Sequence, residues 1–398
     1  MPSQRGGDGE AGQHVLERVL AEMVSVEERD RARAYRERDR ACTYIAGLAG
    51  SSDRKTVNSI SRSANPGGRV QLQRFLTDAL CDDRSLWDQL AREAKRHLKG
   101  KRTCLVIEDL MLAKKGRSSF GVARQVDPAT GKRGNFQALV SLSLASKGKV
   151  IPVALRLVLT HEWSTDLQRR NSSQTNWPFD PVVDVASQGK EQICLETIRR
   201  LQDLDVDVCS VVAPRNYNNV YFRMNLDKMK LKWVFDADGD DVFFRGKPTI
   251  AALNVKRAAK EFGSHPETIR DIVLRESGSC RYRRQWSNKY EPIIGKYSEG
   301  RIVLLQPEPQ PEQQKGERVH LWTLSKFGRD LEYYISNLGP NTNEAHLTDL
   351  VRNRWIVADY NMRLKSDFGL NAYQGRSWEG INRHLLMVCL AAVGNDLR

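Results

Sequence analysis

Residues 103–109 read TCLVIED, an apolar run of strand length that follows the basic turn KGKR at 99–102 and ends on two acids. Before it, apolar residues recur at helical spacing; after it, the spacing is extended. That change of period divides the chain. On the N-terminal side, residues 13–47 read as helix, and the dense charge at 26–41 (VEERDRARAYRERDRA) suits a solvated face laced with pairs three and four apart. A Gly/Ser/Asp break follows, then helical patterns at 55–63 and 72–97, separated by the turn NPGG at 65–68. Residues 1–12, polar and rich in Gly, are expected to form a disordered end.

On the C-terminal side, strands are expected at 137–144 and 150–159, then a helix at 191–204, a strand at 207–213, a helix at 220–230 and a strand at 231–235. Three strands, helix, strand, helix, strand is the order of a mixed sheet with helices packed on it. Residues 236–320 change texture: short alternating runs (DVFF, RIVLLQ, RVHLWTL) surround one helical segment at 250–261, which suggests a largely β insertion. Helical spacing resumes at 343–366 and from 377 to the end. The expected organisation is a helical N-terminal region at 1–100, a core in two parts at 101–235 and 321–398, and the insertion at 236–320.

Composition narrows the function. At 398 residues, 40% hydrophobic and 28% charged, the chain has the makeup of a globular protein with a sizeable core. It has no run of 18 apolar residues, and its first twenty residues lack the basic and apolar regions of a signal peptide, so no membrane association is expected. The seven cysteines are scattered, with no CxxC pair. This argues against a zinc site or a disulfide framework and fits a reducing cytoplasm. The net charge of +14 attracts polyanions over roughly a Debye length, ~8–10 Å at physiological salt. Nucleic acid is the usual partner of such a chain, and a solvated basic surface is the alternative.

Four blocks, in order, carry a family resemblance. YIAGLAGSSDRKTVNSI (44–60) with VQLQRFL (70–76), VIEDLMLAKKGRSSFGVARQ (106–125), LRLVLTHEWSTDLQRR (155–170) and RNRWIVADYNMRLKSDFGLNAYQGRSWEGINRH (352–384) together resemble the RNase H-like DDE transposases of bacterial insertion sequences. The group in question has the signature Tyr, two residues, Arg, three residues, Glu, six residues, Lys. The resemblance implies an α/β fold: an RNase H-like mixed sheet with flanking helices. It also implies phosphoryl transfer by two metal ions, Mg²⁺ in an active member, held by three carboxylates.

Of those three acids the resemblance finds one. Asp109 takes the first position and, by strand alternation, shares a face with Leu105 and Ile107, while Glu108 points the other way. The second position, after the strand in VVAPRNYNN (211–219), holds Pro214, and Asp207 lies too far back along that strand to replace it. Counting back from Lys365 puts the third acid at Ala358, with Arg354 kept and Val351 in the Tyr slot. Arg354, Ala358 and Lys365 fall within about 60° on a helix, and Asp359 is about 100° round from Ala358.

One remnant acid, with Arg354 and Lys365 nearby, leaves at most a weak metal site at Asp109, so no cofactor is expected. The expectation is a transposase-derived DNA-binding protein that has lost strand cleavage and transfer, touching DNA through Lys114, Lys115, Arg354, Lys365, Arg376 and His384. Further partners would be a second copy of the chain or companion transposition or regulatory proteins. Two alternatives stay open: an active enzyme using displaced acids such as Asp359, and a structural subunit of a nucleoprotein complex. Two further stretches draw notice. RYRRQWSNKY (281–290) mixes four cations with Tyr282, Trp286 and Tyr290, as a nucleic-acid contact or a basic sheet edge would. KRAAKEFGSHPETIRDIVLRES (256–277) has a helix-turn-helix look but reads better as a connector in the β-rich stretch.

Overall fold

The computed structural model describes residues 8–50, 54–64, 68–79, 81–98, 103–165, 189–244, 267–276, 293–302, 317–326, 330–339 and 342–397. Helices come first: α1 (Asp8–Ala21), α2 (Glu28–Ala49), α3 (Val57–Ala64), α4 (Arg69–Asp78) and α5 (Asp83–Leu98). Three expectations need correction here. α1 begins inside the stretch expected to be disordered. The single helix expected over 13–47 is broken by a 3-10 turn at Glu22–Val24. The one expected over 72–97 is broken after α4, where Ala79 is extended and Asp82 caps α5, accepting from Arg84 N at 3.0 Å and Ser85 Oγ at 2.5 Å. Apolar spacing runs through both breaks; the second is made by the Asp82 cap, and at the first the chain turns at extended Glu27 without a side-chain cap.

Among the described residues the strands form one sheet of eleven. They are β1 (Cys104–Ala113), β2 (Ala123–Val126), β3 (Arg133–Ser146), β4 (Lys149–Val158), β5 (Ser210–Ala213), β6 (Lys232–Ala237), β7 (Val242–Phe244), β8 (Glu267–Thr268), β9 (Ile293–Ile302), β10 (Glu317–Lys326) and β11 (Asp330–Ser336). β3 pairs antiparallel with β1 and β4, while β1, β5 and β6 run parallel. Leaving aside the short β2, which pairs only with β3, the first five strands stand in the spatial order 3-2-1-4-5. This is the RNase H-like mixed sheet. After β4 come α6 (His161–Thr165) and α7 (Lys190–Asp203); α8 (Val220–Lys228) links β5 to β6. These are the crossovers that parallel strands require.

The β-rich part adds strands to the same sheet and runs past its expected end at 320, since β10 and β11 carry it to Ser336. β11 pairs antiparallel with β6, and β10, β9 and β7 continue outward, with α9 (Ile269–Glu276) after β8. The helix expected at 250–261 and the basic stretch 281–290 lie outside the described residues, as do 166–170 of the third family block. Two long helices close the chain, α10 (Glu344–Ser366) and α11 (Trp378–Asp396). α11 is buried along most of its length against α1, α2 and α4, and α10 lies on β1. With α10 on one face and α7 toward the other, Cys104–Ile107 are buried on both sides. That is why TCLVIED reads as a continuous apolar run rather than an alternating one.

Candidate functional site

Which carboxylate of TCLVIED meets which helix is decided by strand alternation. On one face, Asn353 Nδ2 lies 3.3 Å from Cys104 Sγ, and Arg354 Nε donates to Glu108 Oε1 at 2.8 Å, both from α10. Ser141, which pairs with Glu108 across β3, donates to Asn361 Oδ1 of the same helix at 3.1 Å. Asp109 faces the other way. Its carboxylate accepts from Lys190 Nζ at 2.6 Å, Asn216 Nδ2 at 2.6 Å and Tyr217 Oη at 2.7 Å.

The parallel register extends the row on the α10 face. Val106 pairs with Val212 and Val212 with Val234. Two residues further on, Glu108, Pro214 and Asp236 therefore fall in line, Pro214 still being extended (φ −69°, ψ 165°). Asp236 then pairs with Tyr334 on β11. Glu108, Asp236, Glu332, Tyr334, Arg354 and Ala358 all line one cavity of about 510 Å³. Positions 214 and 358 thus align with Glu108 rather than Asp109. Glu108 faces away from Asp109, as strand alternation predicts, and toward the helix that carries Arg354. Asp236 and Glu332 were missed altogether. Asp236 had a signal: it stands just past the apolar run LKWVF, as the acids do in TCLVIED.

Arg354 is the hub of this row, its NH1 bonded to both oxygens of Asp236 as its Nε bonds Glu108. Burial pushes Asp236 up to about 6, against the pull of the guanidinium. Glu108 is also raised by burial, again opposed by Arg354. Arg354 is held charged: burial lowers its pKa, but Asp236 and Glu108 more than reverse this. Tyr334 Oη donates to Glu332 at 2.7 Å. At the rim, Arg215 holds Asp238 at 2.6 Å and Asp241 at 2.9 Å, and Arg270 holds Asp240 at 3.1 Å.

The remaining candidate residues are scattered. Lys114 is half-buried, donates to the carbonyls of Tyr373 at 2.8 Å and Asn371 at 3.4 Å, and is lowered to about 8 by burial. Lys365 is also lowered by burial, while Lys115 and Arg376 are exposed. Ala358 and Asp359 are exposed on α10. His384 is fully buried, with Nδ1 2.9 Å from Tyr44 Oη and Nε2 3.3 Å from Leu370 O, so it packs in the interior and has no surface to offer DNA.

Residues 29–292 match the family described as DDE superfamily endonuclease, about two thirds of the chain. The chain belongs to that family. No curated protein matches it. The DDE match takes in Glu108, Asp109, Pro214 and Asp236 and ends before α10. Membership implies descent from nucleases of the transposase type that use Mg²⁺ when active.

Mg²⁺ requires hard anionic oxygens in near-octahedral array, and a pair of such ions brings four positive charges. Among the described residues, no three His, Cys, Asp or Glu side chains gather in a group that could hold a metal ion. Glu108 and Asp236 already share a guanidinium, a group that is not deprotonated in proteins. These residues do not fit a metal pair. Nor is any helix among the described residues long and apolar enough to cross a membrane.

Proposed function

We propose that this member of the DDE superfamily is a transposase-derived DNA-binding protein in which strand cleavage and transfer have been lost. The observation that carries the proposal is Arg354, lodged between Glu108 and Asp236 on the face where positions 214 and 358 carry no carboxylate. Its fixed positive charge offsets one of the two acid charges, occupies the oxygens a metal would need and opposes a divalent cation entering the row. With one guanidinium to two acids the row keeps a net negative charge and repels a DNA phosphate, so contacts with DNA are placed elsewhere on the chain. The excess of 63 Lys and Arg over 49 Asp and Glu supplies the general attraction for DNA. In this proposal the phosphate contacts fall to exposed residues such as Lys115 and Arg376, with Lys365 nearby. Arg354 and Lys114 serve as internal ties.

One observation favours a second reading, an active enzyme with displaced acids. Glu108, Asp236 and Glu332 line the same cavity as Ala358. One experiment separates the two. The purified chain is mixed with supercoiled plasmid in Mg²⁺ or Mn²⁺ and assayed for nicks, while binding to duplex DNA is titrated with salt. The proposal expects no nicks, and binding that weakens ~10³–10⁵-fold between 50 and 200 mM salt if six to ten phosphates are contacted. Nicking that disappears in Asp236→Asn would establish the active enzyme instead.

A further inference from the structure

A second cavity, of about 500 Å³, lies between the N-terminal helices and the loop joining α10 to α11. Its chemistry is the reverse of the acid row. Arg69 and Arg376 line it together with the amides of Asn58, Gln73 and Gln374, and no carboxylate is among its lining residues. Arg69, Gln73, Gln374 and Arg376 are all exposed. α3 begins at this cavity at Val57 and α11 is capped there by Ser377, so the positive ends of these two backbone dipoles add to the charge of the arginines, while α4 lies along the cavity from Arg69 to Thr77.

The wall is built rather than loose. Lys114 Nζ, at the end of β1, holds the Tyr373 carbonyl at 2.8 Å, and the Tyr373 ring stacks on the buried His384 with centroids 5.4 Å apart. Gly375 and Gly380 pass so close to the Tyr373 side chain that a Cβ at either would collide with it. The QGRSW segment at 374–378 is thereby fixed from behind with Arg376 on the cavity side. The volume lies within the ~300–1,000 Å³ typical of small-ligand sites.

We infer that this cavity binds a nucleotide phosphate of a DNA strand, with Arg69 and Arg376 paired on the phosphate and Asn58, Gln73 and Gln374 facing the sugar and base. Arginine is suited to this because its planar fork matches phosphate oxygens, and amides supply both donors and acceptors to a base edge. A strand phosphate and a soluble mononucleotide share this chemistry. The strand is favoured because the inference rests on the DNA-binding proposal above.

The test is fluorescence anisotropy of the full chain with a labelled duplex, a labelled single strand and a labelled deoxynucleoside monophosphate. Wild type is compared with Arg69→Gln/Arg376→Gln and with Gln73→Glu, which puts a negative charge into the cavity. Thermal unfolding midpoints establish that both variants, altered only at exposed positions, remain folded. The expected result is weaker DNA binding by about tenfold or more in each variant. The log–log salt slope of the double variant should be shallower by up to about 2, one unit per lost phosphate contact. Loss of mononucleotide binding with DNA affinity unchanged would keep the phosphate site and replace the strand by the soluble nucleotide. Unchanged binding of every probe by folded variants would overturn the site and leave the DNA-binding proposal standing. If wild type bound no DNA, that proposal would fall, and the mononucleotide would then decide the cavity by itself.

Discussion

Arg354 Nε stands 2.8 Å from Glu108 Oε1 while its NH1 grips Asp236, so one guanidinium ties α10 to both β1 and β6. The three side chains keep only 18%, 15% and 24% of their exposure. Removing the cation leaves two carboxylates poorly hydrated and facing each other, a loss of about 3–5 kcal/mol for broken buried pairs. Arg354→Met should therefore lower the urea midpoint steeply. Arg354→Lys should recover only part of the loss, since one ammonium cannot present a planar fork to two acids. A loss below about 1 kcal/mol in Arg354→Met would show the bridge to be solvated and incidental.

Asp236 gives the same row a pH signature. Its folded pKa is about 6, above the roughly 3.9 of an unfolded aspartate. Between those values the folded state binds more protons, so stability falls as pH rises from about 4 to about 6. The contribution is complete below the unfolded value and is lost through the folded one, amounting to about 2–3 kcal/mol. Asp236→Asn should remove this slope. Denaturant unfolding of both proteins across that window gives the difference, and superimposable slopes would refute the assignment.

Asp109 acts on the opposite face as an anchor. Its three hydrogen bonds join β1 to the first residue of α7 and to the 3-10 turn Arg215–Tyr217. Asp109→Ala strands the hydroxyl of fully buried Tyr217 and should cost about 2–3 kcal/mol, while Tyr217→Phe should cost about 1 kcal/mol. Because the two share a bond, the double variant should fall short of the sum by about 1 kcal/mol. Strict additivity in a thermal or denaturant series would mean the bond contributes nothing.

The sheet was legible because its central strands announce themselves: TCLVIED and the strand at 210–213 are apolar on both faces, and the connecting helices keep their period. Helix breaks at residues 22–27 and 79–82 were not, since they depend on one cap or one extended residue. Alternation correctly placed Glu108 and Asp109 on opposite faces. What it could not give was the face on which α10 packs, because that rests on contacts between residues more than two hundred positions apart, such as Cys104 with Asn353. Asp236 joins Glu108 only through two successive strand registers, each set by tertiary pairing.

His384 gives the last expectation, of opposite sign to Asp236. It is completely buried, and burial, with the positive charge of Lys114 adding to it, holds its pKa down at about 3. An unfolded imidazole titrates near 6.5, so between about 6.5 and 3 the unfolded state binds the extra proton. Stability therefore falls as pH falls, by about 1.4 kcal/mol per unit once well below 6.5. Asp236 gains stability over part of the same range, so the wild-type curve alone cannot separate them. Comparison with His384→Gln, which keeps a polar group near Tyr44 Oη but does not titrate, isolates the histidine. The variant should be less stable at pH 7, having lost a fitted buried ring, yet the gap should narrow steadily from pH 6.5 to 4.5. A gap that stays constant over those two units would mean that the imidazole is protonated inside the fold, and the neutral buried histidine would have to be abandoned.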